Sequence, residues 1–267
     1  MATFTNRNPQ MNTVNTMALG TSRRLRIYNA VAALVHLLQA VAVLSLTNDF
    51  SIPVTALFLD GPPGTDPGTI TTLFNFRVGW GVAGFLLMSA VAHLILILPR
   101  VFPWYIGQLE TKRNYARWIE YSFRSSLMIV IIAMLPGITD ISALIALFGV
   151  NASMILFGLL MEKYEQPGTP SWVSYSFGIV TGSVPWIAIA VYLWSPGSSA
   201  TPPAFVYGIF FSLFIFFNSF ALNMVLQYKR TWRWRSYIFG EKTYIFLSLT
   251  AKSLLAWQVF AGTLVPS

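Results

Sequence analysis

The stretch Ser248-Leu-Thr-Ala-Lys252-Ser-Leu-Leu-Ala-Trp257 sets one lysine in the middle of an apolar, helix-length segment near the C-terminus. A charged amine at bilayer depth costs roughly 2.5 to 3.5 kcal/mol on insertion scales, so a chain keeps one there when it is paired, neutral or covalently used. Lys252 is too central to reach the headgroups by stretching its stem. Ser248, at i−4, lies one turn away on the same face, where its hydroxyl can bridge the amine to a carboxylate.

The rest of the chain makes a membrane the setting. Of 267 residues, 55% are hydrophobic and only 10% are charged, whereas soluble domains carry about 25% charged residues. Cysteine is absent, which excludes disulfides, thiolate metal sites and cysteine nucleophiles, and two histidines are too few for a histidine-rich metal cluster. The net charge of +8 sits largely in short connections, so it reports orientation rather than nucleic-acid binding. Residues 1–22 read as a polar, flexible tail or tag remnant, lacking the apolar core and small-residue cleavage site of a signal peptide. Residues 23–267 read as a single domain.

Seven apolar segments approach or exceed the ~20 residues a spanning helix needs: 27–47, 71–98, 114–135, 140–162, 172–194, 203–228 and 237–263. The expectation is an all-α, seven-helix membrane bundle. Its connections carry turn residues, as in Leu135-Pro-Gly137, Gln166-Pro-Gly-Thr-Pro170 and Trp194-Ser-Pro-Gly197. In the first connection, 48–70, the run Thr55-Ala-Leu-Phe-Leu59 leads into Asp60-Gly-Pro-Pro-Gly64 and reads either as a strand of a short β-hairpin or as an ordered loop. A hairpin there could cover the outer surface or pair across a dimer.

Arginine and lysine fall in alternate connections: Arg23, Arg24 and Arg26 before the first span, Arg100, Lys112, Arg113 and Arg117 around the second, Lys163 in the fourth, and Lys229, Arg230, Arg233 and Arg235 in the sixth. The other connections hold Asp49, Asp60 and Asp66, with Asp140 opening the fourth span. The positive-inside rule therefore puts the N-terminus in the cytoplasm and the C-terminus outside. Trp104, Tyr105, Trp172, Trp232 and Trp234 read as an interfacial aromatic belt. Gly178 and Gly182 form a small-xxx-small match that could mark a helix contact face.

Away from the interfaces, the ionisable residues in the spans are His36, Arg77, His93, Glu120, Arg124 and Lys252. Helical side chains lean toward the N-terminus, which brings the Lys252 amine toward the level of Glu120, the only carboxylate expected within the membrane. Glu120 has two readings, a partner for Lys252 or a partner for Arg124 at i+4. His93 alone reads as a structural hydrogen-bonding residue, and together with His36 and Glu120 at matching depth as part of a hydrated cavity. In the outer half only Arg77 is titratable, so no relay of Asp, Glu and His runs from Lys252 to the outside.

A lysine centred in the seventh helix is the pattern of retinal proteins, and Ser248 through Gly262 together with Arg117-Trp-Ile-Glu-Tyr-Ser-Phe-Arg-Ser-Ser126 resemble the heliorhodopsin family over essentially all seven helices. Ser248 stands where ordinary microbial rhodopsins usually carry an aspartate, and the charge pattern inverts their topology. The resemblance implies all-trans retinal as a Schiff base on Lys252, Glu120 as counterion and Ser248 hydrogen-bonded to that pair. It implies that His36 and His93 belong to a proton-accepting cavity, and Trp118, Tyr121, Asn151 and Met154 to the retinal pocket. It further implies a homodimer in the plasma membrane, a slow photocycle, an unknown signalling partner and no enzymatic activity. The expected function is light sensing. The alternatives are a light-driven ion or proton transporter or channel, and a retinal-free transporter binding substrate through Lys252 and Glu120, though no internal repeat or pair of broken helices supports the last.

Overall fold

Apolar runs in a membrane must satisfy their backbone groups internally, and the chain does so with helices. In the computed structural model, residues 19–65, 67–194 and 201–264 are described. Most of the expected tail, Asp66 and the Ser-Pro-Gly turn after Trp194 lie outside the described residues.

Helix α1 spans Leu19–Leu46, and the chain then turns into a hairpin of β1 (Ser51–Leu59) and β2 (Pro67–Arg77). The helices that follow are α2 (Val78–Ile97), α3 (Phe102–Glu110), α4 (Tyr115–Met134), α5 (Ile141–Tyr164), α6 (Val173–Leu193), α7 (Ala204–Tyr228) and α8 (Tyr237–Val259). A 3-10 turn covers Trp232–Arg235, and a π-helical turn, Phe260–Leu264, extends α8. Among the described residues six helices, all but α3 and α4, are long and apolar enough to cross a membrane. Helix α4 has the length but carries Arg117, Glu120 and Arg124 on a stretch that reads as a span only when its charges are discounted.

The first connection is a real antiparallel hairpin, and longer than expected. Residues 71–77, read as the start of the second span, form part of β2, because Thr71, Thr72 and Phe74 pair with Ala56, Thr55 and Val54 across the hairpin. Arg77 therefore lies outside the spanning helix α2; it ends β2 and pairs at 3.4 Å with Asp49, both side chains well exposed. The hairpin leans on the start of α5, where the Thr55 amide donates to the Thr139 carbonyl at 2.9 Å. The second departure is α3, an extra short helix in the basic connection. It buries Tyr105, expected at the interface, while Trp104 stays exposed.

Capping agrees with the local sequence. Asn114 accepts from the Arg117 amide at 3.1 Å to start α4, and Asp140 accepts from the Ser142 and Ala143 amides to start α5. Gly137, at φ +113°, makes the turn between α4 and α5, where a side chain would be strained.

Helix α1 packs on α2, α4 on α5, α5 on α6 and α7 on α8, α1 closes the bundle against α8, and α2 lies against α4. Toward the hairpin end the interior is an apolar plug, with Val43, Phe85, Ile132, Ile189, Leu213 and Val259 among its buried members. Polar groups occupy the middle and the α3 end: Asn29, His36, Ser89, His93, Arg117, Arg124, Ser248 and Lys252 are all buried.

Candidate functional site

The i−4 spacing on α8 puts the Lys252 amine on the Ser248 hydroxyl, to which it donates. Arg124 comes from α4 to the same oxygen, its Nη2 donating at 3.4 Å, while its Nη1 donates to Ser89 of α2 at 3.0 Å. Both cations lie against the Tyr121 ring, with the Arg124 Cζ at 4.6 Å and the Lys252 Nζ at 5.5 Å from its centroid. Glu120 ion-pairs with Arg124, one turn along its own helix. Of the two partners open to this glutamate, the arginine is the one in direct contact.

His36 and His93 stack, their ring centroids 6.0 Å apart and their planes 14° from parallel. His93 Nδ1 meets the Asn29 side-chain oxygen at 2.8 Å, whereas both ring nitrogens of the fully buried His36 lack a hydrogen-bond partner among the described residues. A cavity of about 280 Å³ runs from His93 and Glu120 to Arg117 and Glu241 at the α3 end.

A second polar cluster, at that end, escaped the sequence reading. Arg117 donates to Glu162 at 2.9 Å and also pairs with Glu241. Glu162 accepts further from Trp118 at 2.7 Å and Tyr237 at 2.6 Å, and Glu241 from Asn114 at 2.7 Å and Tyr105 at 3.2 Å. Glu120, whose side chain is partly exposed, is thus not the only carboxylate within the bundle, and Glu162 and Glu241 are the more deeply buried, at 7% and 2% exposed. Both lie near helix ends, where sequence position alone suggests exposed interfacial charge. Burial, and then the Glu241 carboxylate, push the Tyr105 phenol well above its ordinary range, so it persists as a donor.

A cavity of about 130 Å³ opens at Lys252 between α4, α5, α6, α7 and α8. Trp118, Tyr121, Met154, Phe217 and Phe220 form apolar and aromatic walls. Asn151 is set back from it, donating to the Ser125 and Ser126 hydroxyls at 2.9 and 3.1 Å, and of these Ser125 lines the cavity. Gly158 lets the Trp118 ring lie against α5, and Gly182 admits Met154, so the small-residue pair on α6 does form a helix contact.

The sequence profile of the family Heliorhodopsin matches residues 25–264. The chain belongs to the heliorhodopsin family. Similar solved structures are a cyanorhodopsin from the cyanobacterium Tolypothrix sp. NIES-4075 (14% identity, TM-score 0.52, covering 93% of this chain and 94% of that one), a thermophilic rhodopsin (11%, 0.60, 92% and 94%) and the light-driven proton pump rhodopsin of Coccomyxa subellipsoidea (15%, 0.52, 91% and 95%). At these identities they show the rhodopsin fold. No curated protein matches the chain.

Heliorhodopsin membership makes this a multi-pass, retinal-binding membrane rhodopsin. The residues fit that ligand. A buried primary amine faces a cavity walled by flat aromatic and methionine side chains, which suit a conjugated hydrocarbon chain. In this heliorhodopsin Trp118, Tyr121 and Met154 lie on the cavity, Ser248 touches Lys252, and His36 and His93 form a neighbouring pair.

Proposed function

We propose that the chain is a light-sensing photoreceptor with all-trans retinal bound to Lys252 as a protonated Schiff base. The observation that carries this is the Lys252 amine, buried with Ser248 as its one hydrogen-bond partner among the described residues and facing an aromatic-walled cavity. Retinal supplies light absorption and isomerisation. The protein's residues supply the rest: Lys252 Nζ holds the proton, Ser248 Oγ accepts from it, and Glu120 provides the countercharge from beyond Arg124. His36, whose ring nitrogens have no other partner, and His93 beside it accept the proton displaced after illumination.

Seven spans result when α4, packed against α2 and α5, joins the six apolar helices. All connections rich in Arg and Lys then share one side, which makes the N-terminus cytoplasmic and the C-terminus extracellular. Residues 23–267 act as a single domain in the plasma membrane. A homodimer is part of the proposal, and the hairpin offers it exposed apolar residues including Leu57, Phe58, Ile70 and Phe74.

The apolar plug toward the hairpin end favours sensing over transport, because buried polar groups cluster from Lys252 toward the α3 end. A slow photocycle that signals through the helix bundle to a partner fits that one-sidedness. Expression with all-trans retinal tests the proposal: wild type acquires a visible absorption band that Lys252→Ala lacks. A band in both proteins, or in neither, refutes the chromophore site. Light-driven pH changes in whole cells would establish transport in place of sensing.

A further inference from the structure

Two cations and one carboxylate meet at the centre of the bundle. Arg124 and Lys252 both donate to the Ser248 hydroxyl and both stand over the Tyr121 ring, while Glu120 pairs with Arg124. The buried carboxylates among the described residues are committed elsewhere: Glu162 and Glu241 share Arg117, and Trp118, Tyr237, Asn114 and Tyr105 donate to their oxygens. With Lys252 protonated, the central cluster carries one positive charge too many, and an uncompensated buried charge is strongly unfavourable. Neither stacked histidine supplies a negative charge.

The same place has donors for a counter-ion, on the wall of the cavity assigned above to the chromophore. Arg124 presents up to five N–H groups, and its bond to Ser248, at 3.4 Å, is at the long limit of hydrogen bonding. Arg124, Ser125, Ser248 and Lys252 all line the cavity between α4 and α8. We propose that Arg124, Ser248 and Lys252 bind one small monovalent anion of the halide class at this wall. The ligand is monovalent because the surplus is a single charge, and weakly hydrated because Met128 and Phe220 close the surrounding cavity. A sulfate dianion would replace one unbalanced charge with another and carry a larger desolvation cost.

The optical form of the test rests on the chromophore reading above. Purified, retinal-reconstituted full-length protein is titrated with sodium chloride, bromide and nitrate at constant ionic strength against sodium sulfate. The proposal predicts a saturable shift of the absorption maximum that differs among the three anions. Arg124→Gln retains a visible band and loses the shift, and Glu120→Gln, which removes the competing carboxylate, reaches half-saturation at lower halide concentration. A wild-type band that stays put from sulfate to chloride overturns the site, as does a near-ultraviolet band indifferent to halide, which would mean that proton loss relieves the surplus. Failure to form any pigment defeats the chromophore reading instead. The anion site is then read from the retinal-free protein: chloride raising the melting temperature of wild type but not of Arg124→Gln supports it, and equal melting in chloride and sulfate overturns it.

Discussion

Arg117 is held between two carboxylates and two aromatic rings, its guanidinium 4.6 Å from the Trp118 centroid and 4.1 Å from that of Tyr244. Removing one member of a buried ion cluster typically costs about 3–5 kcal/mol, because the partners are left charged without compensation. Arg117→Gln should therefore lower the melting temperature sharply, whereas Arg113→Gln, in the connection before α4, should scarcely move it. Glu120→Gln is expected to act optically: it strips Arg124 of its partner, removes the countercharge, shifts the absorption band and moves loss of the visible form to lower pH. An unchanged spectrum across a pH titration would rule Glu120 out as counterion. At Tyr105 the sign runs the other way from a carboxylate. Its raised phenol favours the fold fully below the ordinary value of 10.0, and that contribution is lost as pH climbs through the raised value. Tyr105→Phe should flatten the alkaline limb of a stability profile, and an unaltered limb would count against this role.

Close approach of helices shapes the cavity at the scale of elements. A Cβ at Gly158 would collide with the Trp118 ring, which also holds Glu162 and cannot swing away freely, while a Cβ at Gly182 meets the unbranched end of Met154. Overpacking costs about 1–3 kcal/mol, so Gly158→Ala should lower pigment yield and thermal stability more than Gly182→Ala. The reverse order would mean that Trp118 is not fixed by its bond to Glu162. Most helices were legible in the sequence because an apolar run as long as a bilayer has few other folds. Helix α4 was legible only when its charges were weighed against its length, and α3 was hidden because a nine-residue helix in a basic connection has no such constraint. The β2 strand was obscured by its apolar residues: Leu73, Phe74 and Phe76 lead directly into α2 and outweigh Asn75 and Arg77 in a hydropathy average, so hydropathy does not place the boundary. At the site, the contact of Lys252 with Ser248 was legible from the i−4 spacing, and the proximity of the two histidines from their matching depth. The Arg117, Glu162 and Glu241 cluster was not, since its members come from α4, α5 and α8 and only packing brings them together.

For the whole molecule, the division into an apolar hairpin end and a polar α3 end sets direction. Because the chain has no cysteine, single introduced cysteines can report topology without a background. Thr65→Cys, exposed at the hairpin turn, should react with an impermeant maleimide on intact cells, and Lys229→Cys, exposed after α7, only after permeabilisation. The opposite pattern would invert the proposed orientation. The central claim is the covalent bond to Lys252, and borohydride reduction followed by peptide mass spectrometry tests it most directly. Protein expressed with retinal and reduced in the membrane should carry a retinyl adduct on Lys252 and on no other lysine; an unmodified Lys252 beneath a visible band, or an adduct on a different residue, would contradict it.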